Sequence, residues 1–127
     1  MSAMESLVSK FSDVIRSKRI FAPEDAYMEH VEIILVGNGP YVLFDSGYSI
    51  QKDEVLDWVR KETNGTLDKF ILTHQHYDHS GNAKAVCDVF SVPCHAHPIE
   101  IDLVKEREAE LSFISIEEDF VVKIGEI

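Results

Sequence analysis

Between Thr73 and Asn82 the chain reads THQHYDHSGN, which puts His74, His76, Asp78 and His79 within six positions. Two histidines at i and i+2 on an extended segment face the same side, their Cα atoms about 6.6 Å apart, so both imidazoles can converge on one cation. Asp78 and His79 come next at a turn into a helix, where the reversing chain can aim a second pair of ligands at a neighbouring position. Imidazole and carboxylate together suit zinc, one ion or two, and also iron or manganese, better than calcium or magnesium. Two cations roughly 3.5–4 Å apart can share a hydroxide, lower its pKa and polarise the carbonyl or phosphoryl oxygen under attack, which is hydrolytic chemistry. A merely exposed polar turn explains single histidines, not four ligand-type side chains at this spacing.

The elements that must position this cluster are legible around it. Phe70-Ile71-Leu72 is a short apolar run of the kind covered on both faces of a sheet, and it leads directly into the cluster. Downstream, Ala83, Val86, Cys87 and Phe90 keep helical spacing, and Val92 to Ala96 reads as a strand. His97-Pro98 can open another helix, because Pro is tolerated at the first helical position. That helix is expected to carry Leu103 and Val104 inward and to leave Glu100, Asp102, Lys105, Glu106, Arg107, Glu108 and Glu110 on a solvated face. Upstream, HVEIILV (His30 to Val36) and YVLF (Tyr41 to Phe44) flank Gly37-Asn38-Gly39-Pro40, a β-hairpin pattern that stops at Asp45-Ser46-Gly47. A helix comes after it, burying Val55, Leu56 and Val59 with Trp58 at its edge and Asn64-Gly65 as its stop. Phe120 to Ile124 is a last strand candidate.

Met4, Leu7, Val8, Phe11, Val14 and Ile15 recur at spacings of three and four, which predicts an amphipathic helix over residues 2–18 with a basic end at Arg16, Lys18 and Arg19. Residues 1–22 are therefore expected to be a helix packed on the domain formed by residues 23–127. Strands alternate with helices without repeats or linker-like tracts, so the class is α/β in one unit. The 127 residues, 45% of them hydrophobic, can furnish one core. A formal charge of −11 disfavours nucleic acid as a partner. No apolar run reaches the roughly 20 residues of a membrane span and the first ten residues lack a signal-peptide pattern, so a cytoplasmic chain off the membrane is expected. Cys87 and Cys94 are expected to be reduced, buried, small hydrophobes. His30, a single histidine beside Glu29 at the start of a strand, is left out of the site.

HQHYDHSGN is similar to the HxHxDH signature of the metallo-β-lactamase superfamily, and YVLFDSG resembles that family's hairpin strand ending in Asp-Ser/Thr-Gly, in the expected order. The resemblance implies half of an αββα sandwich: a mixed β-sheet with helices on one side, here with the extra N-terminal amphipathic helix. It implies that His74 and His76 serve a first metal and Asp78 and His79 a second, with Asp78 the catalytic residue that helps orient the nucleophile. Asp45 would support a ligand rather than bind metal. Members that reduce dioxygen or nitric oxide at a di-iron centre generally carry Glu where this chain has His76, so the resemblance points to hydrolysis of an ester, thioester, lactone or related bond in a small-molecule substrate, by a metal-bound hydroxide.

The resemblance covers roughly His30 to Ile127 and only the first half of that fold. The family's three later ligands, a His, a bridging Asp and a final His, have no counterparts; His95 and His97 lie in an AHP-like strand end that does not bind metal in the family. The expectation is thus a metallo-hydrolase chain that stops before its site is completed, with a self-associating, metal-binding half-fold of little or no catalysis as the alternative. In either case the uncovered sheet face is expected to meet a second copy, as in a homo-oligomer such as a dimer, or a partner chain.

Overall fold

The computed structural model describes residues 15–21, 30–74, 76–106 and 111–116. Six strands form one mixed sheet in the order β1 (Ile15–Phe21), β2 (His30–Gly37), β3 (Tyr41–Phe44), β4 (Lys69–Ile71), β5 (Cys94–Ala96) and β6 (Phe113–Ser115). β1, β2 and β3 are antiparallel neighbours, as the hairpin pattern predicts, and Gly37 at φ +115° makes the turn that a β-carbon would block against the Pro40 carbonyl. From β3 to β6 all pairings are parallel. Parallel neighbours need crossovers, and α1 (Lys52–Thr63), α2 (Ala83–Phe90) and α3 (Pro98–Lys105) supply them. Because each crossover steps the sheet in the same direction, a common hand puts all three helices on one face.

That face holds the core. Leu35, Leu43, Phe70 and Cys94 stand in register across four strands. They form one buried cluster with Val55, Leu56 and Val59 of α1, Ala83, Val86 and Cys87 of α2, and Ile101 and Val104 of α3. Each large side chain so buried contributes about 1.5–3 kcal/mol, which fixes the helices against the strands. α1 has Asp53 and Glu54 in its first turn and Arg60 and Lys61 in its last, matching the helix dipole, and stops at Asn64 in the left-handed conformation. Cys87 and Cys94 are buried free thiols. The opposite face carries the row Ile34, Phe44, Ile71, His95 and Ile114, none of it in that cluster, with Ile34 and Ile114 exposed.

Two expectations need correction. The helix predicted over residues 2–18 does not extend over residues 15–18, because Ile15 to Phe21 pair residue for residue with Val36 to His30 of β2; ladder bonds and burial of Ile20 outweigh a helical stripe whose last member is Ile15. Residues 1–14 and the boundary at residue 22 lie outside the described residues, as does the strand candidate at 120–124. Leu103 points outward and Ile101 inward, because Pro98 sets the phase of α3. β6 carries no clear strand signal and is recruited by pairing with β5.

Candidate metal centre

In a parallel sheet the carboxyl ends of adjacent strands open on one edge, where loops can bring distant residues together. Asp45 leaves the end of β3, Thr73 and His74 leave β4, and α3 starts just after β5. Asp45 is buried, with φ +66°, and its backbone N–H donates to the Ile71 carbonyl at 3.0 Å. A non-glycine residue in the left-handed region is uncommon, although Asp tolerates it better than most. Here the conformation turns the carboxylate toward the histidine loop. Its Oδ1 accepts the Thr73 N–H at 2.8 Å, and its Oδ2 accepts the Thr73 hydroxyl at 2.6 Å and meets His79 Nδ1 at 2.9 Å.

Ser46 and Asn82 join the two motif loops. The Ser46 N–H and hydroxyl both donate to the His79 carbonyl, at 2.8 and 2.9 Å. Asn82 donates its backbone N–H to Ser46 Oγ at 3.0 Å and its side-chain amide to the Ser46 and Tyr48 carbonyls, each at 2.8 Å. Beneath the turn, Gly47 at φ +74° leaves no slack: a β-carbon there would lie 3.2 Å from Cγ1 of Ile20. Between the loops a single helical turn, Tyr77–Ser80, is closed by the His79 and Ser80 N–H groups, both donating to the His76 carbonyl.

His74 Nε2 and His76 Nδ1 are 2.9 Å apart, with ring centroids separated by 4.0 Å. Two nitrogens bound to one tetrahedral zinc at 2.0–2.1 Å would be about 3.3–3.4 Å apart, so a small opening of this pair admits the ion. The His79 ring centroid lies 5.7 Å from that of His74. His79 turns Nδ1 to Asp45, the carboxylate–imidazole pairing that fixes a metal-binding tautomer, with the lone pair on Nε2. The donor set therefore suits a transition-metal ion. Asp78 has its backbone in the turn beside His79, and its side chain lies outside the described part of the molecule. Among the described residues no three His, Cys, Asp or Glu side chains form a metal-holding group.

His95 and His97 lie outside the cluster, and the His95 Nδ1 is buried without a hydrogen-bond partner among the described residues. His97 Nδ1 caps α3 by accepting the Ile99 N–H at 3.2 Å. His95 is half-buried on the face opposite the helices, where burial first and the Lys69 charge second push its pKa down. Glu100 departs from its expected place on a solvated face: its side chain is 20% exposed, and its Oε1 lies 3.4 Å from His74 Nδ1. Thr73 is a second participant missed from the sequence. The signal available for Glu100 is Pro98, which sets the start of α3 and puts Glu100 in its first turn, beside the end of β4.

The sequence matches the family model of the metallo-beta-lactamase superfamily over residues 29–125. Among solved structures, a metallo-beta-lactamase from Pontibacter korlensis is similar with a TM-score of 0.75 and 19% identity, over 91% of this chain and 54% of that one. A flavo di-iron protein mutant from Thermotoga maritima is similar with a TM-score of 0.72 and 20% identity, over 90% of this chain and 32% of that one. A metallo-beta-lactamase from Erythrobacter litoralis, crystallised with beta-mercaptoethanol in its active site, gives 0.66 and 19% identity over 86% and 49%. No curated protein matches the chain. The chain thus spans from about a third to about half of the length of these solved structures, and it lays both motif loops along one sheet edge inside the matched segment. It belongs to the metallo-β-lactamase superfamily.

Proposed function

We propose that this chain is the ligand-bearing first half of a metal-dependent hydrolase acting on an ester, thioester, lactone or related bond. The observation that carries the reading is the approach of His74 Nε2 and His76 Nδ1 to 2.9 Å beside a His79 already turned onto a buried carboxylate. His74 and His76 would hold one ion, and Asp78 and His79 a second. When bound, the metal supplies a water of lowered pKa and polarises the carbonyl under attack. The chain's own residues set the geometry. Asp45 holds the His79 proton at Nδ1, and Ser46 and Asn82 keep the two loops from drifting apart. Zinc is the proposed metal, with iron or manganese accommodated by the same donors.

Two protein ligands per ion fall short of the three that catalytic zinc normally has, so turnover requires more ligands than the four histidine-loop residues provide. In this reading they arrive on the face of Ile34, Phe44, Ile71, His95 and Ile114, from the rest of a longer protein, a second copy or a partner chain. The flavo di-iron neighbour makes redox chemistry the natural competitor. His76, where di-iron members of the family generally carry Glu, favours hydrolysis. A self-associating metal-binding half-fold is the second reading, favoured by the exposed Ile34 and Ile114 on the open sheet face. Among the described residues no helix is long and apolar enough to cross a membrane. A cytoplasmic location belongs to the same proposal.

Elemental analysis of the purified chain together with its solution mass tests the reading. One to two equivalents of zinc, iron or manganese are expected, lost in the His74→Ala/His76→Ala double variant. A folded chain that takes up no metal overturns the proposal. A dimeric mass supports the second copy as the source of further ligands.

A further inference from the structure

We propose that Glu100 is the positioning residue for His74, accepting its Nδ1–H so that the Nε2 lone pair faces His76 Nδ1; this rests on the metal reading of the same pair. The two nitrogens of an imidazole ring point in divergent directions, so a side chain at Nδ1 cannot join an ion held at Nε2. Glu100 Oε1 lies 3.4 Å from Nδ1, while Nε2 lies 2.9 Å from His76 Nδ1. His74 is thus bracketed, with a pure acceptor on one side and the prospective metal position on the other. An ionised carboxylate only accepts, so the proton on Nδ1 is the one it can hold. His76 Nδ1–H then donates to His74 Nε2 until an ion takes its place.

The strand ends and the start of α3 deliver Glu100 to this position. β4 and β5 are parallel neighbours, with Ile71 beside His95, so the residues after each strand emerge side by side. Pro98 and the His97 cap fix where α3 begins, and this sets Glu100 in the first turn, where the helix dipole favours a carboxylate. The Glu100 side chain is mostly buried, unlike a solvated charge. Asp45 performs the same service for His79 from β3. Each of two histidines in the loop is therefore backed by a carboxylate that comes from a different neighbouring strand. At 3.4 Å the Glu100 contact is long for a hydrogen bond, and such contacts commonly tighten when the site is loaded.

The test uses the full 127-residue chain with Glu100→Ala, Glu100→Gln and, as a control on the same helix, the exposed Asp102→Asn. Long-range ¹H–¹⁵N spectra of the metal-free chain near pH 8 report which nitrogen of His74 bears the proton. Wild type is expected to show the Nδ1–H tautomer. Glu100→Ala should move it toward Nε2–H, and Glu100→Gln, whose amide oxygen can accept the same proton, should restore Nδ1–H. Zinc affinity, read by competition with a chelating dye, should fall roughly tenfold in Glu100→Ala, the lower end of what loss of such a partner costs. Asp102→Asn should change neither readout. An unchanged His74 tautomer in Glu100→Ala overturns the proposal, as does a Glu100→Ala chain that binds zinc as tightly as a zinc-binding wild type. Should wild type bind no zinc, the metal reading fails separately, and the tautomer measurement still decides the role of Glu100.

Discussion

Replacing Asp45 with Asn removes one charge and leaves the shape of the side chain almost unchanged, so its effects trace to the hydrogen bonds that the carboxylate accepts. The left-handed backbone at position 45 accommodates Asn at least as well as Asp, and no new strain arises. Asn Oδ1 can still accept the Thr73 N–H, and the Thr73 hydroxyl can rotate to accept from the new amide. His79 cannot adjust so cheaply. Facing an N–H₂ group, its Nδ1 must become the acceptor, which transfers the ring proton to Nε2 and removes the lone pair a metal needs. Hydrogen bonds to a charged group are worth about 1.5–3 kcal/mol against about 1 kcal/mol for neutral ones, so weakening those on Asp45 should cost about 1–3 kcal/mol. For a chain of this size that is a fall in Tm of roughly 5–10 °C. Calorimetry on the metal-free protein and metal titration of the folded variant separate the two effects. Asp45→Asn that retains wild-type metal affinity would refute the assignment of Asp45 as the group that sets the His79 tautomer.

Gly47→Ala combines a backbone angle that L residues avoid with a β-carbon pressed on Ile20, and should cost about 1–2 kcal/mol in urea unfolding; unchanged stability would mean that β1 can shift away from the turn. His95 titrates below its ordinary value of 6.5 when folded, so the unfolded chain binds the proton first as pH falls. Stability from this group is full above pH 6.5 and declines below it toward the lower folded pKa, and His95→Gln should flatten that part of the stability–pH curve. If the hydrolase proposal holds, Asp78→Ala in an active form of the protein should abolish turnover while circular dichroism stays native, and retained activity would remove Asp78 from the site.

Whether an element or a site residue is legible in the sequence depends on what its role rests on. α1 and its stop at Asn64 come from local spacing and a local cap, and the hairpin from two β-rich runs around glycines; such patterns survive folding because burial and propensity agree. β1 is not legible in this way, since residues 15–18 fit a helical stripe locally and a strand only once β2 lies alongside. β6 likewise exists through its partner β5. The histidine cluster is plain because its members are adjacent in sequence. Glu100 and Thr73 are hidden, because a lone Glu among the charges of α3 looks like any solvated residue until the end of β5 is set beside the end of β4.

The distribution of contacts explains how this part of the fold holds the histidine loop in place. The bonds from Asp45, Ser46 and Asn82 run between the two motif loops, and both loops hang from strands paired within this chain. Their geometry is therefore set by β3, β4 and the helix-covered core, without help from the opposite face. A partner on the face of Ile34 and Ile114, as proposed, would therefore not have to build the histidine loop anew. Under the proposed function, metal uptake and catalysis should consequently separate: the contacts of His74 and His79 come from residues of this chain, while the proposed turnover needs further ligands. A substitution confined to the open face, such as Ile114→Lys, should leave metal binding by the isolated chain within about twofold and disrupt any association, because the bonds of Asp45, Ser46 and Asn82 that hold the histidine loop run to residues of the two motif loops and not to β6. Loss of metal in Ile114→Lys with the fold intact would show that the open face does help to build the loop.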